Sequence, residues 1–159
     1  FFNIYKRNSS EYNKIFRFLG PEPLATKFSV QNFFFSINKR HSNIKSILLN
    51  QSIIAGLGNI YVCEALFLAA ISPKTIGSNL TYSKIEELYG KIKEVLLKAI
   101  KEGGTSIQDH KNISGEIGYF QNYLSVYNRE REKCNKCTTL ISRFKQNGRS
   151  TYYCQKCQK

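Results

Sequence analysis

The sequence has no methionine and no tryptophan, and only three prolines, two histidines and eleven acidic residues among its 159. It contains no apolar run of about eighteen residues, the length that a membrane-spanning helix needs. Its first residues lack the basic-then-apolar order of a secretion signal, which argues against a disulfide-forming compartment. From the missing initiator methionine we expect that the chain begins inside a longer protein.

Cysteine is present in an ordered pattern. Four of the five cysteines stand in two C-x2-C pairs with sixteen residues between them: Cys134, Cys137, Cys154 and Cys157. This spacing predicts one tetrahedral zinc ion held by four thiolates, with two disulfides as the alternative. The segment 140–153 predicts two strands around a turn at Asn147-Gly148. Because so small a hairpin buries little core, we expect the metal to fold it. The odd cysteine, Cys63, is predicted to be a buried, inert thiol.

The shortage of acidic residues leaves 24 basic residues against 11 and a net charge of +13. Residues 128–159 alone carry nine basic and two acidic side chains. This stretch stays positive even after four thiolates on one zinc add their net negative charge. Such an excess favours a polyphosphate partner, and the alternative is a basic surface that only keeps the protein soluble.

Apolar residues at helical spacing predict helices at 29–38, 43–51, 59–70 and about 81–102. Ser42 is predicted to cap the second helix, and Thr81 or Ser83 to cap the fourth. Gly103-Gly104 should end the last one. The chain therefore predicts a mainly α fold with a small β zinc-finger hairpin.

The turn between the second and third predicted helices is glycine-rich, with Gly56 and Gly58 close before Asn59. Two helices joined by such a turn form a helix–turn–helix unit. Backbone N–H groups at a helix start, together with the Asn59 amide, suit one phosphate group. Glycines that permit tight helix packing explain the pattern about as well.

Ordered segments along the chain carry a resemblance to a known family. They are Leu19-Gly-Pro-Glu-Pro-Leu24, Ile44-Lys45, Ala55-Gly-Leu-Gly-Asn-Ile-Tyr61, Glu64-Ala-Leu-Phe67, Gly103-Gly-Thr105, Gly118-Tyr-Phe120, Val126-Tyr127, and the Cys134 to Cys157 finger with Gly148-Arg-Ser-Thr151. With them the chain resembles the bacterial formamidopyrimidine-DNA glycosylases over nearly its whole length.

The resemblance implies three parts: the end of an N-terminal β-domain with a linker (1–24), a helix–two-turns–helix DNA-binding domain (25–124) with a lesion-capping loop at 107–118, and a four-cysteine zinc finger (125–159). It implies one structural zinc ion, damaged double-stranded DNA as partner, a monomer without membrane association, and a bacterial cytoplasmic location at the nucleoid. The family excises oxidised purines, 8-oxoguanine and formamidopyrimidines, and then cleaves the backbone as an AP lyase.

By the resemblance, Lys45, Asn59 and Arg149 contact the phosphates that flank a flipped-out lesion, and His41 is a further DNA contact. Arg149 also matches an arginine assigned as proton donor in the final elimination. Its phosphate contact weighs more, because a guanidinium rarely releases a proton. On residue type alone, Lys45 fits a solvated helix lysine and Arg149 fits a turn residue.

The family's nucleophile is an N-terminal proline in a Pro-Glu-Leu-Pro-Glu opening, and this sequence contains no such opening. We therefore expect the chain alone to bind DNA but not to catalyse. Three other hypotheses stand beside this one: an endonuclease-eight-like glycosylase for oxidised pyrimidines, a stand-alone zinc-ribbon module of transcription or translation, and a non-catalytic remnant that only binds DNA.

Overall fold

The computed structural model describes residues 6, 9–10, 14, 16–105 and 118–159. The elements in these ranges are α1 (Val30–Asn38), α2 (Ile44–Leu48), α3 (Asn59–Leu68), α4 (Tyr82–Lys101), short 3-10 turns at Gly77–Asn79 and Phe120–Tyr123, and the strands β1 (Ser142–Gln146) and β2 (Arg149–Tyr153). The predicted mainly α fold with a small β hairpin is confirmed. Of the described helices, none has the length and apolar character that crossing a membrane requires.

Helix α2 is capped by Asn43, so the prediction of Ser42 as its cap is wrong. The Asn43 side-chain oxygen accepts a hydrogen bond from the Ser46 amide at 2.9 Å, and Asn43 also forms a β-bridge with Ile76. Both residue types are good caps, and the bridge holds Asn43 in the extended conformation that a cap adopts. The helix ends at Leu48, before the predicted end at residue 51, and the chain continues through turns at residues 51–56.

Helix α4 begins as one of the two predicted caps requires. The Thr81 hydroxyl accepts from the Lys84 amide at 3.3 Å, while Ser83 lies inside the helix. Gly103 and Gly104 follow with φ of +71° and +88°, the left-handed region that glycine adopts without steric strain. The predicted start and end of this helix are therefore confirmed.

The helical part is built around a hydrophobic core to which α1, α2, α3 and α4 all contribute. Side chains at its centre include Ile37, Ile54, Leu66, Leu88 and Ile92, all with 0% exposure. The two turns between α2 and α3 are joined by Gln51, whose side chain accepts from the Gly56 amide at 2.8 Å and donates to the Leu57 carbonyl at 3.3 Å. This packing fixes the point at which α3 starts.

The hairpin pairs Ser142 with Tyr153 at one end and Gln146 with Arg149 at the other. Asn147 and Gly148 make the predicted turn with φ of +50° and +75°, and positive φ at both positions suits the twist of paired strands. Arg149 therefore opens β2 at the end of the hairpin farthest from the cysteines.

A second apolar cluster joins the finger to α3. Cys63 and Phe67 of α3 share it with Val126, Cys134, Ile141, Tyr152 and Cys154. Cys63 is 2% exposed, and burial raises the pKa of its thiol, which confirms the prediction that this cysteine is buried. The finger thus shares a small apolar core with α3 beside the metal site.

Candidate nucleic-acid interface

The four paired cysteines converge on one point. Their sulfur atoms all lie within 4.8 Å of one another, with 3.9 Å between Cys134 and Cys157 and 3.4 Å between Cys137 and Cys154. Four sulfurs about 2.3 Å from one tetrahedral zinc lie about 3.8 Å apart, whereas a disulfide needs about 2 Å. The cluster fits one zinc ion, and the alternative of two disulfides is wrong.

The thiols of this cluster differ in acidity. Hydrogen bonds with Thr139 lower the pKa of Cys137 to about 6. Burial, together with the neighbouring Cys137 and Cys154 thiols, raises the pKa of Cys157 to about 12. Because a zinc-bound thiol is deprotonated, a bound zinc ion would displace the proton of Cys157.

Glu64 of α3 anchors the chain where it enters the finger. This side chain is 3% exposed. Its Oε1 accepts from the Val126 and Tyr127 amides at 3.0 and 2.8 Å, and its Oε2 accepts from the Ser125 amide at 2.8 Å. Hydrogen bonds to a carboxylate are stronger than neutral ones. They tie the start of the finger to the helix that begins with Asn59.

The hairpin tip (residues 147–151) rests on α2 and α3. Lys45 Nζ donates to the Ser150 carbonyl at 3.1 Å and to the Thr151 hydroxyl at 2.8 Å. Asn59 Nδ2 donates to the same Ser150 carbonyl at 3.0 Å. Lys45, Asn59 and Arg149, which were predicted to act together, are therefore brought to one place.

Lys45 and Arg149 form a pair of cations at this place. Lys45 is 0% exposed, so its interpretation as a solvated helix lysine is wrong. Burial lowers the pKa of Lys45, and the nearby charge of Arg149 lowers it further against an opposing effect of Cys63. Arg149 is exposed. Within the described ranges, neither cation has an ion-pair partner, so the exposed Arg149 guanidinium can accept an external anion.

The start of α3 borders the same place and is open. Its cap, Gly58, has an ordinary φ of −94° and supplies no side-chain hydrogen bond, and a Cβ built on it would meet nothing within 4 Å. Packing of the described residues therefore does not require glycine here. The first-turn amides of α3 are left accessible to an external group.

His41 lies apart from these residues. It is exposed, and its Nδ1 is 3.4 Å from the Ser78 hydroxyl. The hydrogen bonds of the described chain do not connect it to the hairpin tip. Its DNA contact stays a prediction.

The predicted lesion-capping loop 107–118 lies outside the described residues except for Gly118. The residues that flank it are close together, since Thr105 forms a β-bridge with Tyr119. A Cβ on Gly118 would lie 2.3 Å from the Gly104 carbonyl oxygen, so this close approach requires glycine.

Three buried polar residues were not identified as functional from the sequence: Glu64, Thr151 and Gln158. Gln158 Oε1 accepts from the Cys154 amide, and its Nε2 donates to the Ile71 carbonyl, both at 2.9 Å. Glu64 and Thr151 lie in segments that carry the family resemblance, which was the available signal. Gln158 had no such signal.

Comparison with known families identifies both parts of the chain. A family described as the formamidopyrimidine-DNA glycosylase H2TH (helix–two-turns–helix) domain matches residues 19–111. The chain belongs to this glycosylase family. A zinc finger described as found in FPG and IleRS matches residues 131–159. The predicted helix–two-turns–helix domain followed by a zinc finger is confirmed.

Individual glycosylases of this family match nearly the whole chain. The formamidopyrimidine-DNA glycosylase of Rhodopseudomonas palustris is 46% identical over an alignment of 165 residues, which covers 100% of this chain and 57% of that protein. The MutM (FPG) structure from Thermus thermophilus has a TM-score of 0.89 at 37% identity, over 94% of this chain and 57% of that one. A complex of Lactococcus lactis Fpg with abasic-site DNA has a TM-score of 0.84 at 41% identity, over 91% and 53%.

The chain thus spans a little over half the length of these relatives. A stand-alone zinc-ribbon module is not favoured, because the match to the helical domain covers more than half of the chain. The endonuclease-eight-like alternative is not favoured either, since these relatives are named formamidopyrimidine-DNA glycosylases.

Proposed function

We propose that this chain is the DNA-binding half of a formamidopyrimidine-DNA glycosylase and AP lyase that acts on oxidised purines in double-stranded DNA. The observation that carries the proposal is the exposed Arg149 guanidinium, without a carboxylate partner in the described ranges, beside the open start of α3. Solved relatives support the substrate class: one holds Fapy-dG-containing DNA and another carbocyclic 8-oxo-G-containing DNA.

The proposed task of this half is to hold the backbone while a damaged base is turned out of the duplex. Unstacking and unpairing a base costs a few kcal/mol, which contacts to the flanking phosphates must offset. The Arg149 guanidinium can donate two parallel hydrogen bonds to a phosphate. The first-turn amides of α3 suit the neighbouring phosphate because they are rigidly mounted. Asn59 Nδ2 has a second N–H for the same phosphate beside the one that it donates to Ser150.

Zinc has a structural part in this proposal. Cys134, Cys137, Cys154 and Cys157 would hold it, and the bound ion supplies folding energy to the finger. With all four positions taken by thiolates, no position is open for a reacting water. The finger then serves to present Arg149.

The reaction itself is proposed for the whole protein and not for this chain alone. In the family, the amine that forms the Schiff base belongs to a proline opening, and the segments of this chain that match the family do not include it. Arg149 would assist the final elimination, and the chain would act as a monomer at the nucleoid. A borohydride-trapped adduct between this chain and abasic DNA would contradict the proposal that this chain alone does not catalyse.

The test is a salt titration of DNA binding with Arg149→Ala. We expect the zinc-loaded chain to bind a labelled duplex carrying an abasic-site analogue, with affinity that falls steeply as salt rises. Arg149→Ala should weaken binding and reduce the slope of log K against log salt by about 1. Fluorescence anisotropy measures both quantities.

The matched control is Arg131→Ala, since Arg131 is an exposed arginine of the same finger outside the hairpin. It should leave the slope nearly unchanged. Equal affinity of wild type and Arg149→Ala would remove Arg149 from the site. Salt-independent binding by the wild type would refute the proposed function.

A further inference from the structure

We infer that Lys45 acts on DNA through the finger: it is a positioning residue that holds the hairpin tip so that Arg149 meets a phosphate, and it is not itself a phosphate ligand. This inference rests on the proposed function and revises the direct contact that the family resemblance implies for Lys45.

The Lys45 ammonium group points toward the finger. Two of its three N–H groups are used by the Ser150 carbonyl and the Thr151 hydroxyl, at 3.1 and 2.8 Å. These residues directly follow Arg149 in β2. Because Ser150 directly follows Arg149, a hydrogen bond to the Ser150 carbonyl fixes the backbone from which the Arg149 side chain extends.

Lys45 and Arg149 differ in burial. Lys45 is 0% exposed, whereas Arg149 is exposed at the end of the hairpin. A phosphate ligand has to present its donor to the DNA, and the buried ammonium presents its donors to the finger. Its charge still adds to the potential at Arg149, since the two groups are close enough to interact electrostatically.

Lys45 belongs to a connected set of hydrogen bonds. The Thr151 hydroxyl that it bonds donates to Gln146 Oε1 at 3.2 Å, and Gln146 Nε2 donates to the Pro73 carbonyl at 3.1 Å. Asn59 supports the same Ser150 carbonyl from α3. The tip is thus held at α2, at α3 and at residue 73. Removing Lys45 leaves the Ser150 carbonyl with Asn59 as its donor and leaves the Thr151 hydroxyl with its bond to Gln146 only.

Salt dependence separates a positioning residue from a ligand. Each phosphate that a side chain neutralises contributes about 0.9 to the slope of log K against log salt. Removing a direct ligand therefore reduces the slope by about this amount. A positioning residue acts through Arg149, so its removal reduces the slope by no more than Arg149→Ala does and causes no further reduction once Arg149 is replaced.

The experiment uses the zinc-loaded 159-residue chain and a labelled duplex with an abasic-site analogue, at several KCl concentrations. Lys45→Met keeps the length of the side chain and removes its charge. Thr151→Val removes the finger-side acceptor at nearly constant volume and changes no charge. Lys84→Met is the control, because Lys84 is an exposed helix lysine with 47% side-chain exposure.

We expect Lys45→Met to weaken binding at least about tenfold, the scale of a lost hydrogen bond to a charged group, and to reduce the slope by no more than Arg149→Ala does. Thr151→Val should weaken binding in the same way. Both variants should speed amide hydrogen exchange at residues 147–151 while zinc content stays the same. In an Arg149→Ala background, Lys45→Met should have little further effect.

Three results would overturn the inference: a further slope reduction of about 1 when Lys45→Met is added to Arg149→Ala, wild-type affinity in Thr151→Val, or independent effects of Lys45→Met and Arg149→Ala on the affinity. If Lys45→Met loses zinc or its fold, Thr151→Val decides the matter, because it tests the same contact from the finger side. Failure of the wild type to bind would refute the proposed function itself, whereas these three results refute only the role of Lys45.

Discussion

The sharpest stability prediction concerns Glu64→Gln. Glu64 accepts three backbone hydrogen bonds from residues 125–127 at 2.8 to 3.0 Å, and the side chain is 3% exposed. An amide in place of the carboxylate keeps one acceptor oxygen and turns an NH2 group toward a backbone N–H. One hydrogen bond is then lost, and the others lose their charge assistance.

The size of the effect follows from these three bonds. A hydrogen bond to a charged group contributes about 1.5–3 kcal/mol, and a neutral one contributes about 1 kcal/mol. Losing one charged bond and weakening two others should lower the free energy of unfolding by about 3 kcal/mol. This is a large share of the total for a domain, which is about 5–15 kcal/mol.

Urea unfolding followed by circular dichroism at constant free zinc measures the change, because bound metal adds to apparent stability. The matched control is Glu87→Gln, since Glu87 is an exposed glutamate on α4 that pairs with Lys84 at 2.8 Å. A surface pair of this kind contributes about 0–1 kcal/mol. If Glu64→Gln and Glu87→Gln agree within about 0.5 kcal/mol, the three bonds do not stabilise the junction and the reasoning fails.

Two further predictions address the metal and the close backbone contact. A zinc chelator should unfold residues 134–157 and weaken DNA binding, seen by circular dichroism and anisotropy; an unaffected finger would contradict zinc as the bound group. Gly118→Ala should destabilise by about 1–3 kcal/mol, because its Cβ would lie 2.3 Å from the Gly104 carbonyl oxygen. Gly90→Ala, where a Cβ meets nothing within 4 Å, should stabilise α4 by about 0.5–1 kcal/mol, and thermal unfolding that ranks the two alike would contradict this.

Local features were predictable because neighbouring residues determine them. The cysteine spacing and the Asn147-Gly148 turn each need only a few residues, and both predictions are confirmed. The cap of α2 was misplaced by one residue because Ser42 and Asn43 are both good caps, and a bridge to the distant Ile76 selects between them.

Long-range contacts were not predictable from local pattern. Lys45 lies 105 residues before Ser150 in the sequence, and periodicity within one helix does not reveal such a partner. The family resemblance placed Lys45, Asn59 and Arg149 in one site, but it did not indicate that Lys45 is buried under the finger. Glu64 was hidden in the same way, since its partners are 61 to 63 residues away.

Loss of zinc should change the position of Arg149 only by loosening the hairpin, because the finger is attached to the helical part at several separate points. Gln158 bonds Ile71 at the cysteine end, Glu64 holds residues 125–127, and Lys45 with Asn59 holds the tip. Arg149 lies at the tip, so Lys45 and Asn59 control its position most directly. A bound zinc ion would hold the cysteine end of the finger together, and the contacts at the tip place the two strands against α2 and α3. Presentation of Arg149 therefore requires both, which explains why so small a finger needs buried polar contacts in addition to its cysteines.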